Sequence, residues 1–187
     1  MVTLRATPNL YNWRPADLKE TAVAWKESIL SKSPSCLILS RQALPQIKIS
    51  KDKVSNISNG GYLVQKNEDA KLNIISSGSE LQLAIQAAKD LDELGIKVNV
   101  VSMPCLDRFL EANAEYQDKV IQKDLPSIVV EAGHPNSWYK ILGRGDLVIG
   151  MTTFGESAPA KMLFEEFGFT AETVSYTHLT LPTRYRV

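Results

Sequence analysis

Residues 72–104 constrain the fold more than any other part of the sequence. They open with a short apolar run, pass through a polar turn at residues 77–80, and continue with apolar residues at the spacing of an amphipathic helix. A second apolar run follows at residues 96–101 and ends before Pro104. Strand, turn, helix and strand in this order predict a βαβ unit, whose crossover is right-handed. The chain is therefore predicted to build a parallel sheet within an α/β fold.

The central helix of this unit carries a signal at each end. Ser79 followed by Gln82 has the form of a capping box, in which each side chain bonds a free backbone N–H of the first turn. Gly95 stands directly after the last apolar position and supplies the left-handed residue that commonly closes a helix. The sequence thus predicts both where this helix starts and where it stops.

Composition places the chain among ordinary globular proteins. Of its 187 residues 44% are hydrophobic and 22% are charged, and the 21 basic residues balance the 21 acidic ones. A net charge of zero gives no general attraction to nucleic acid or to a membrane surface. The apolar runs are strand-sized and no leader opens the chain, so we expect no membrane span and a cytoplasmic location. The two cysteines and two histidines lack the spacing of zinc ligands, so no metal residue is assigned.

The first part of the chain is predicted to be a partial α/β segment. Residues 2–5 suggest a strand, and Pro15 suits the first turn of a helix. That helix has an apolar face, which we expect to pack on a sheet, formed by Leu18, Ala22, Trp25 and Ile29. Residues 36–39 form a continuous apolar run typical of a strand covered on both faces.

The middle of the chain predicts a boundary between two structural units. Around Ser50 the composition shifts to Pro, Lys, Ser and Asn, and we place a linker at residues 46–57. Further strands are predicted at residues 127–130 and 147–150. A last helix is predicted with Ser157 as its N-cap and with an end at Gly168.

A series of short motifs, in order along residues 2–174, resembles the transketolase family. The motifs are residues 4–9 (LRATPN), 13–17 (WRPAD), 22–26 (AVAWK), 37–42 (LILSRQ), 60–62 (GGY), 77–80 (SGSE), 101–104 (VSMP), 130–133 (VEAG), 138–140 (WYK) and 151–169 (MTTFGESAPAKMLFEEFGF). The resemblance implies that residues 1–45 are the tail of the family's pyrimidine-binding domain. It also implies that residues 58–174 are the C-terminal domain, with a mixed, mostly parallel sheet flanked by helices.

The resemblance further implies a parent enzyme that is a homodimer and uses thiamine diphosphate and magnesium. Such an enzyme transfers two-carbon ketol units between sugar phosphates. The family's Gly-Asp-Gly metal motif has no counterpart in this sequence, and the glutamate that activates the thiamine ring belongs to a segment upstream of Met1. We therefore assign no catalytic, cofactor-binding or metal residue, and we expect this chain alone to be inactive.

Arg41 is the one residue to which the resemblance gives a functional role. In the family, the arginine of the matching Ser-Arg-Gln contacts the phosphate of the substrate. A guanidinium suits this role because it binds two phosphate oxygens as a fork and keeps its charge. The alternative is a surface arginine in an ion pair. For Arg5 and Arg14, which lie beside a turn and a helix start, a structural role is favoured.

Two further features have a functional and a structural interpretation. The turn at residues 77–80 resembles an anion-binding helix start, which would suit the alternative of a self-standing binding or interaction module with a regulatory anion site, but Glu80 would repel an anion. His134 has no nucleophile placed near it, so a loop histidine is favoured over a general base. Residues 175–187 depart from the family and resemble an adapter-encoded tail, which we exclude from fold and function.

Overall fold

The structure is a computed structural model that describes residues 1–177. Within this range the chain forms seven strands and eight α-helices. The strands are β1 (Tyr11–Trp13), β2 (Ser35–Leu37), β3 (Tyr62–Gln65), β4 (Asn73–Ser76), β5 (Asn99–Ser102), β6 (Ser127–Val130) and β7 (Leu147–Ile149). The helices are α1 (Val2–Arg5), α2 (Leu18–Leu30), α3 (Lys51–Asn56), α4 (Leu81–Glu93), α5 (Leu106–Glu111), α6 (Ala114–Val120), α7 (Ala160–Glu166) and α8 (Ala171–Thr177). Short 3₁₀ helices cover Ile57–Asn59, Gly78–Glu80 and Pro135–Lys140.

Five strands form one mixed sheet in the order β3-β5-β4-β6-β7. Strands β5, β4, β6 and β7 are parallel, and β3 pairs antiparallel with β5 at the edge. In the central register Ile74 lies opposite Val100 on one side and Ile128 on the other. The predicted βαβ unit is present as β4, α4 and β5. The α/β fold class, with a mixed and mostly parallel sheet flanked by helices, is confirmed.

Successive residues of the central strand point into two different cores, as the two-residue period of a strand requires. Ile74 belongs to a cluster with α4 and α8, which includes Leu81, Leu91 and Val174. Its neighbour Ile75 belongs to a second cluster, on the opposite face, that contains Val101, Phe109, Val129 and Trp138. The sheet is therefore buried on both faces, and its strand ends are fixed by packing from both sides.

The first part of the chain forms a separate two-stranded parallel sheet, in which β1 pairs with β2. The N–H of Arg14 donates to the carbonyl of Pro104 at 2.7 Å, which joins the end of β1 to the loop after β5. Beside this joint, Trp13, Ala24 and Cys105 form a small buried cluster. The N-terminal segment is thus packed against the region that follows β5.

Two predictions for the N-terminal segment are wrong. Residues 2–5 form helix α1 instead of a strand, because the N–H of Arg5 bonds the carbonyl of Met1 and the N–H of Ala6 bonds that of Val2. The alternation of Val2 and Leu4 is too short to separate the two structures. Residues 36–39 were predicted to be covered on both faces, but β2 ends at Leu37 and is only half-buried, with β1 as its one neighbouring strand within residues 1–177.

The predicted apolar face of α2 does not pack on a sheet. Leu18, Trp25 and Ile29 are 69%, 53% and 75% exposed. The buried residues of this helix are instead Glu20 and Ala24, on the side that faces the five-stranded sheet and the Trp13 cluster. The helix is oriented by hydrogen bonds of the buried Glu20, described below. The spacing of hydrophobic residues does not predict such a polar contact.

The predicted helix ends were partly right. Gly95 has φ +78° and its N–H bonds the carbonyl of Asp92, so the C-terminal signal of α4 is confirmed. The capping box is wrong: a 3₁₀ turn precedes α4, and the hydroxyl of Ser79 donates to the carboxylate of Glu80. Ser157 is also not an N-cap, because α7 begins at Ala160 with Pro159 before it.

The last described helix extends past the end of the family resemblance. Helix α8 runs to Thr177, so three residues of the excluded tail, 175–177, continue a helix that packs against α4. The rest of the adapter-like tail, residues 178–187, lies outside the described part of the chain.

Candidate functional site

Four charged side chains meet where β4 and β6 end, and we refer to them as the four-charge cluster. They are Arg5, Arg14, Glu80 and Glu131. The glutamates come from the five-stranded sheet: Glu131 follows β6, and Glu80 lies in the 3₁₀ turn after β4. The arginines come from the N-terminal segment, at the end of α1 and directly after β1. The carboxyl edge of the sheet, where ligands usually lie in open α/β folds, is thus filled by the chain itself.

Glu131 is the centre of the cluster and accepts four hydrogen bonds. Arg5 donates from Nη1 and Nη2 to its two carboxylate oxygens, each at 2.7 Å. Ser77 Oγ donates to Oε1 at 2.5 Å, and Trp138 Nε1 donates to Oε2 at 2.8 Å. The guanidinium of Arg5 also lies over the Trp138 ring, 5.1 Å from its centroid. Both oxygens of this buried carboxylate are therefore fully used.

Arg14 and Glu80 form the second pair of the cluster. Their side chains are in direct ion contact, and Glu80 Oε2 also accepts the N–H of Ala132 at 3.0 Å. Arg14 Nη1 donates to the carbonyl of Ser77 at 2.8 Å. Gly78 has φ +57°, and a Cβ at this position would lie 2.9 Å from Cγ and Cζ of Arg14. The turn therefore requires glycine both for its backbone angle and for the approach of this arginine.

The electrostatics of the cluster explain how four charges can be buried together. Two guanidinium groups and two carboxylates sum to zero net charge. Burial by itself would raise the pKa of Glu131, but the hydrogen bonds and charge of Arg5, with the charge of Arg14, lower it below its ordinary value. Burial by itself would lower the pKa of Arg14, but the charge and hydrogen bond of Glu80, together with the charge of Glu131, raise it above its ordinary value. The two arginines that could attract an anion to the 77–80 turn are already paired with Glu80 and Glu131, so the geometry does not favour a regulatory anion site.

A second buried carboxylate, Glu20 of α2, lies between the N-terminal segment and strands β3 and β5. Its Oε1 accepts from the hydroxyl of Tyr62 at 2.8 Å and from Ser102 Oγ at 2.6 Å, and its Oε2 accepts the N–H of Ala16 at 2.7 Å. Burial raises the pKa of this carboxyl to about 7, and its three hydrogen bonds oppose the shift. The hydrogen bonds of Glu20 to Tyr62 and Ser102 orient α2. Because Glu20 is wholly buried, it cannot reach a substrate in solution.

The structure leaves Arg41 apart from these groups. It is exposed, in the irregular stretch between β2 and α3, and it makes no hydrogen bond or ion pair with any residue in the range 1–177. His134, the other exposed candidate, accepts the N–H of Asn136 on its Nδ1 and caps the 3₁₀ helix at Pro135–Lys140. The structure thus assigns His134 a local structural contact.

Residues 1–177 contain no group of three or more His, Cys, Asp or Glu side chains that could hold a metal ion. No helix in this range is long and apolar enough to cross a membrane. Cys36 and Cys105 are both free thiols, and burial raises the pKa of Cys105 to about 12.

Sequence reasoning missed the central role of Glu131 and the burial of Glu20. The signal for Glu131 was present, because a charged residue directly after the apolar run of β6 must find a buried partner. Arg5 and Arg14 were interpreted as structural, and their ion pairs agree with that interpretation. Which carboxylate each arginine would meet depends on contacts 126 residues apart in the case of Arg5, and no local pattern encodes them.

Comparison with known proteins places the chain in a family. The family model for the transketolase-like TK C-terminal domain matches residues 60–170. Transketolase 2 of Vibrio parahaemolyticus is 48% identical over 180 residues, which are 95% of this chain and 27% of that protein. Transketolase 1 of Escherichia coli K12 is 45% identical over 177 residues, again covering 27% of its length.

Solved structures agree. A Pichia stipitis transketolase in complex with sedoheptulose 7-phosphate has a TM-score of 0.90 and 36% identity, covering 96% of this chain and 26% of that one. Transketolase from Leishmania mexicana has a TM-score of 0.89 and 38% identity, covering 100% of this chain and 27% of that one. The chain spans about a quarter of the length of these relatives. It belongs to the transketolase family, and residues 60–170 are its transketolase-like C-terminal domain.

Proposed function

We propose that this chain is the C-terminal part of a transketolase, in which it supplies a contact to the substrate phosphate and supports assembly. The parent enzyme would transfer two-carbon ketol units between sugar phosphates with thiamine diphosphate and magnesium, as a cytoplasmic homodimer. In this proposal residues 1–45 belong to the pyrimidine-binding domain, 46–57 to a linker, and 58–174 to the C-terminal domain. The family match and the sedoheptulose 7-phosphate bound by the Pichia stipitis relative support the substrate class.

The observation that carries the proposal is the free guanidinium of Arg41. Arg5 and Arg14 are neutralised by carboxylates, whereas Arg41 is exposed and has no acidic partner among the described residues. An unpaired arginine on an irregular segment can turn both of its terminal nitrogens toward a phosphate. Arg41 also stands within the Ser-Arg-Gln motif whose arginine contacts phosphate in the family.

We further propose that the isolated chain neither binds thiamine diphosphate tightly nor transfers ketol groups. At the carboxyl edge of the sheet, Glu80 and Glu131 are paired with Arg14 and Arg5, and Glu20 is wholly buried. The sequence carries no Gly-Asp-Gly segment to hold a metal-bound diphosphate. These observations support the proposal that residues 1–177 form no thiamine diphosphate site by themselves.

The phosphate contact can be tested in a chimera. The final quarter of Escherichia coli transketolase 1 is replaced by this chain, and turnover is measured with xylulose and ribose phosphates. Arg41→Ala is expected to raise KM for the sugar phosphates by about 10- to 100-fold with a smaller change in kcat, because it removes a charge-assisted bidentate contact. Arg41→Lys should recover only part of this loss, because an ammonium cannot form the fork.

Arg144→Ala is the matched control, since Arg144 is also exposed and makes no ion pair with another described residue. It should leave KM unchanged. Equal KM values for the Arg41→Ala and parent chimeras would contradict the role of Arg41. A folded parent chimera without turnover would contradict the proposed function itself. Calorimetric titration of the isolated chain with thiamine diphosphate and magnesium tests the remaining claim, which micromolar binding would overturn.

A further inference from the structure

We propose that the carboxyl edge of the five-stranded sheet is a guanidinium-specific binding site, and that Arg5 of the N-terminal segment is its resident occupant. The site consists of Glu131, Ser77 and Trp138, all from the part of the chain that forms this sheet. The occupant comes from a segment 126 residues away in sequence. The contact is therefore recognition between two separate parts of the molecule, and it does not depend on the proposed enzymatic function.

The carboxylate of Glu131 is oriented by groups other than its occupant. Ser77 Oγ donates to Oε1 at 2.5 Å and Trp138 Nε1 donates to Oε2 at 2.8 Å. Each oxygen then has a remaining lone pair, and the two nitrogens of Arg5 reach these oxygens at the same distance of 2.7 Å. A carboxylate held in this orientation needs no rearrangement when a planar two-donor group binds, which favours affinity.

The tryptophan distinguishes a guanidinium from an ammonium. The plane of a guanidinium can lie against an indole ring while its terminal nitrogens bond a carboxylate. Trp138 is fully buried and serves both purposes, with its ring 5.1 Å from Arg5 and its N–H on Glu131. A primary ammonium carries its donors on one nitrogen and cannot place two parallel bonds on both carboxylate oxygens.

The site recognises only the end of the arginine side chain. Arg5 Nε is buried but makes no hydrogen bond, so the recognised atoms are the terminal nitrogens and the guanidinium plane. A small alkylguanidinium offers all of these atoms. If Arg5 is shortened to alanine, the emptied space should accept such a molecule from solution.

The test is chemical rescue of the whole chain carrying Arg5→Ala. Because this change leaves a buried carboxylate without its main partner, the melting temperature should fall by about 10 °C. Ethylguanidinium at 10 mM should then raise it by about 3 to 6 °C, the shift for a ligand present at tenfold its dissociation constant. Ethylammonium at the same concentration should raise it by less than one degree, and neither compound should affect the parent chain.

Two further variants keep the result decisive. In Arg5→Ala combined with Glu131→Gln the carboxylate is gone, so ethylguanidinium should have no effect. Arg5→Lys should remain as unstable as Arg5→Ala. Equal rescue by ethylammonium, rescue that persists without Glu131, or full stability of Arg5→Lys would each overturn the proposal.

If Arg5→Ala does not fold, the readout becomes the yield of soluble chain after refolding. Ethylguanidinium should then restore the yield and ethylammonium should not. Arg14→Ala empties a second position, opposite Glu80. The Arg14 side chain that this change removes is 11% exposed. Arg144→Ala is the control, and its melting temperature should not respond to either compound.

Discussion

At the scale of single residues, the two buried carboxylates of this chain differ because their partners differ. Glu131 meets two guanidinium groups and keeps its charge. Glu20 meets only neutral donors, from Tyr62, Ser102 and Ala16, and has Asp17 nearby, so burial dominates and its pKa rises to about 7. The same residue type thus has a lowered pKa in one place and titrates near neutrality in the other.

Glu20 should make the stability of the chain fall as pH rises through weak acidity. The unfolded carboxyl loses its proton near pH 4.5 and the folded one near pH 7. Between these values the folded chain binds more protons, so the free energy of unfolding decreases with pH, by on the order of 3 kcal/mol in total. Urea unfolding at pH 5 and pH 8 measures this loss.

Glu20→Gln cannot ionise, so its free energy of unfolding should change much less between pH 5 and pH 8. The comparison isolates Glu20 because the pKa of Glu131 is lowered and the pH dependence of that group lies below this window. An equal pH dependence in both proteins would show that Glu20 is ionised throughout.

Gly78 should tolerate alanine far less well than Gly95 does. Both have positive φ, so alanine costs each about 1 to 2 kcal/mol in backbone strain. At Gly95 a Cβ would meet no atom within 4 Å, whereas at Gly78 it would lie 2.9 Å from the side chain of Arg14, which is only 11% exposed and is held by Glu80. We expect a loss of about 1 kcal/mol for Gly95→Ala and about 3 kcal/mol for Gly78→Ala, measured by thermal unfolding. Equal losses would show that Arg14 moves aside freely.

At the scale of elements, the spacing of hydrophobic residues correctly predicted those strands and helices whose position is set by hydrophobic packing. The strands at residues 127–130 and 147–150, the βαβ unit and the end of α4 at Gly95 all follow from local patterns. The orientation of α2 does not, because a single buried carboxylate fixes which side faces inward. The role of Arg41 is proposed from a short motif, whereas the four-charge cluster requires residues whose proximity only the folded chain shows.

The exposed face of α2 should be nearly irrelevant to the stability of this chain. Ile29 is 75% exposed, so Ile29→Lys should shift the melting temperature by no more than about 2 °C. Ala24 is fully buried beside Trp13, and Ala24→Leu should lower the melting temperature by at least 4 °C through overpacking. A large loss in Ile29→Lys would indicate that this face is covered in solution, for example by a second copy of the chain.

At the scale of the whole molecule, buried charged groups join the N-terminal segment to the five-stranded sheet. The four-charge cluster and the Glu20 contacts each join the two parts, and removing either part would leave charges without partners. The chain spans about a quarter of its relatives, yet within it the two parts are joined by contacts of the kind found inside one domain.

The chain should therefore unfold in one step. We expect the thermal transitions followed by far-ultraviolet circular dichroism and by tryptophan fluorescence to coincide, since Trp13 and Trp138 are buried in different clusters. Trp25→Phe removes the signal of a half-exposed tryptophan on α2 and sharpens the comparison. A fluorescence transition at clearly lower temperature would mean that the N-terminal segment separates before the sheet unfolds.

The buried thiol of Cys105, beside Trp13, is a native probe of how often the N-terminal segment separates from the rest of the chain. Cys105 is fully buried and packs against Trp13 and Ala24 of the N-terminal segment, and its pKa of about 12 leaves almost no thiolate to react near neutrality. A thiol reagent should therefore modify Cys105 only when the N-terminal segment transiently separates from it. Cys36 of β2, in the N-terminal segment itself, is half-buried, so its modification rate should differ from that of Cys105. The ratio of the modification rates of Cys105 and Cys36 therefore reports how often the N-terminal segment separates from the rest of the chain. Both thiols are native, so no label has to be engineered.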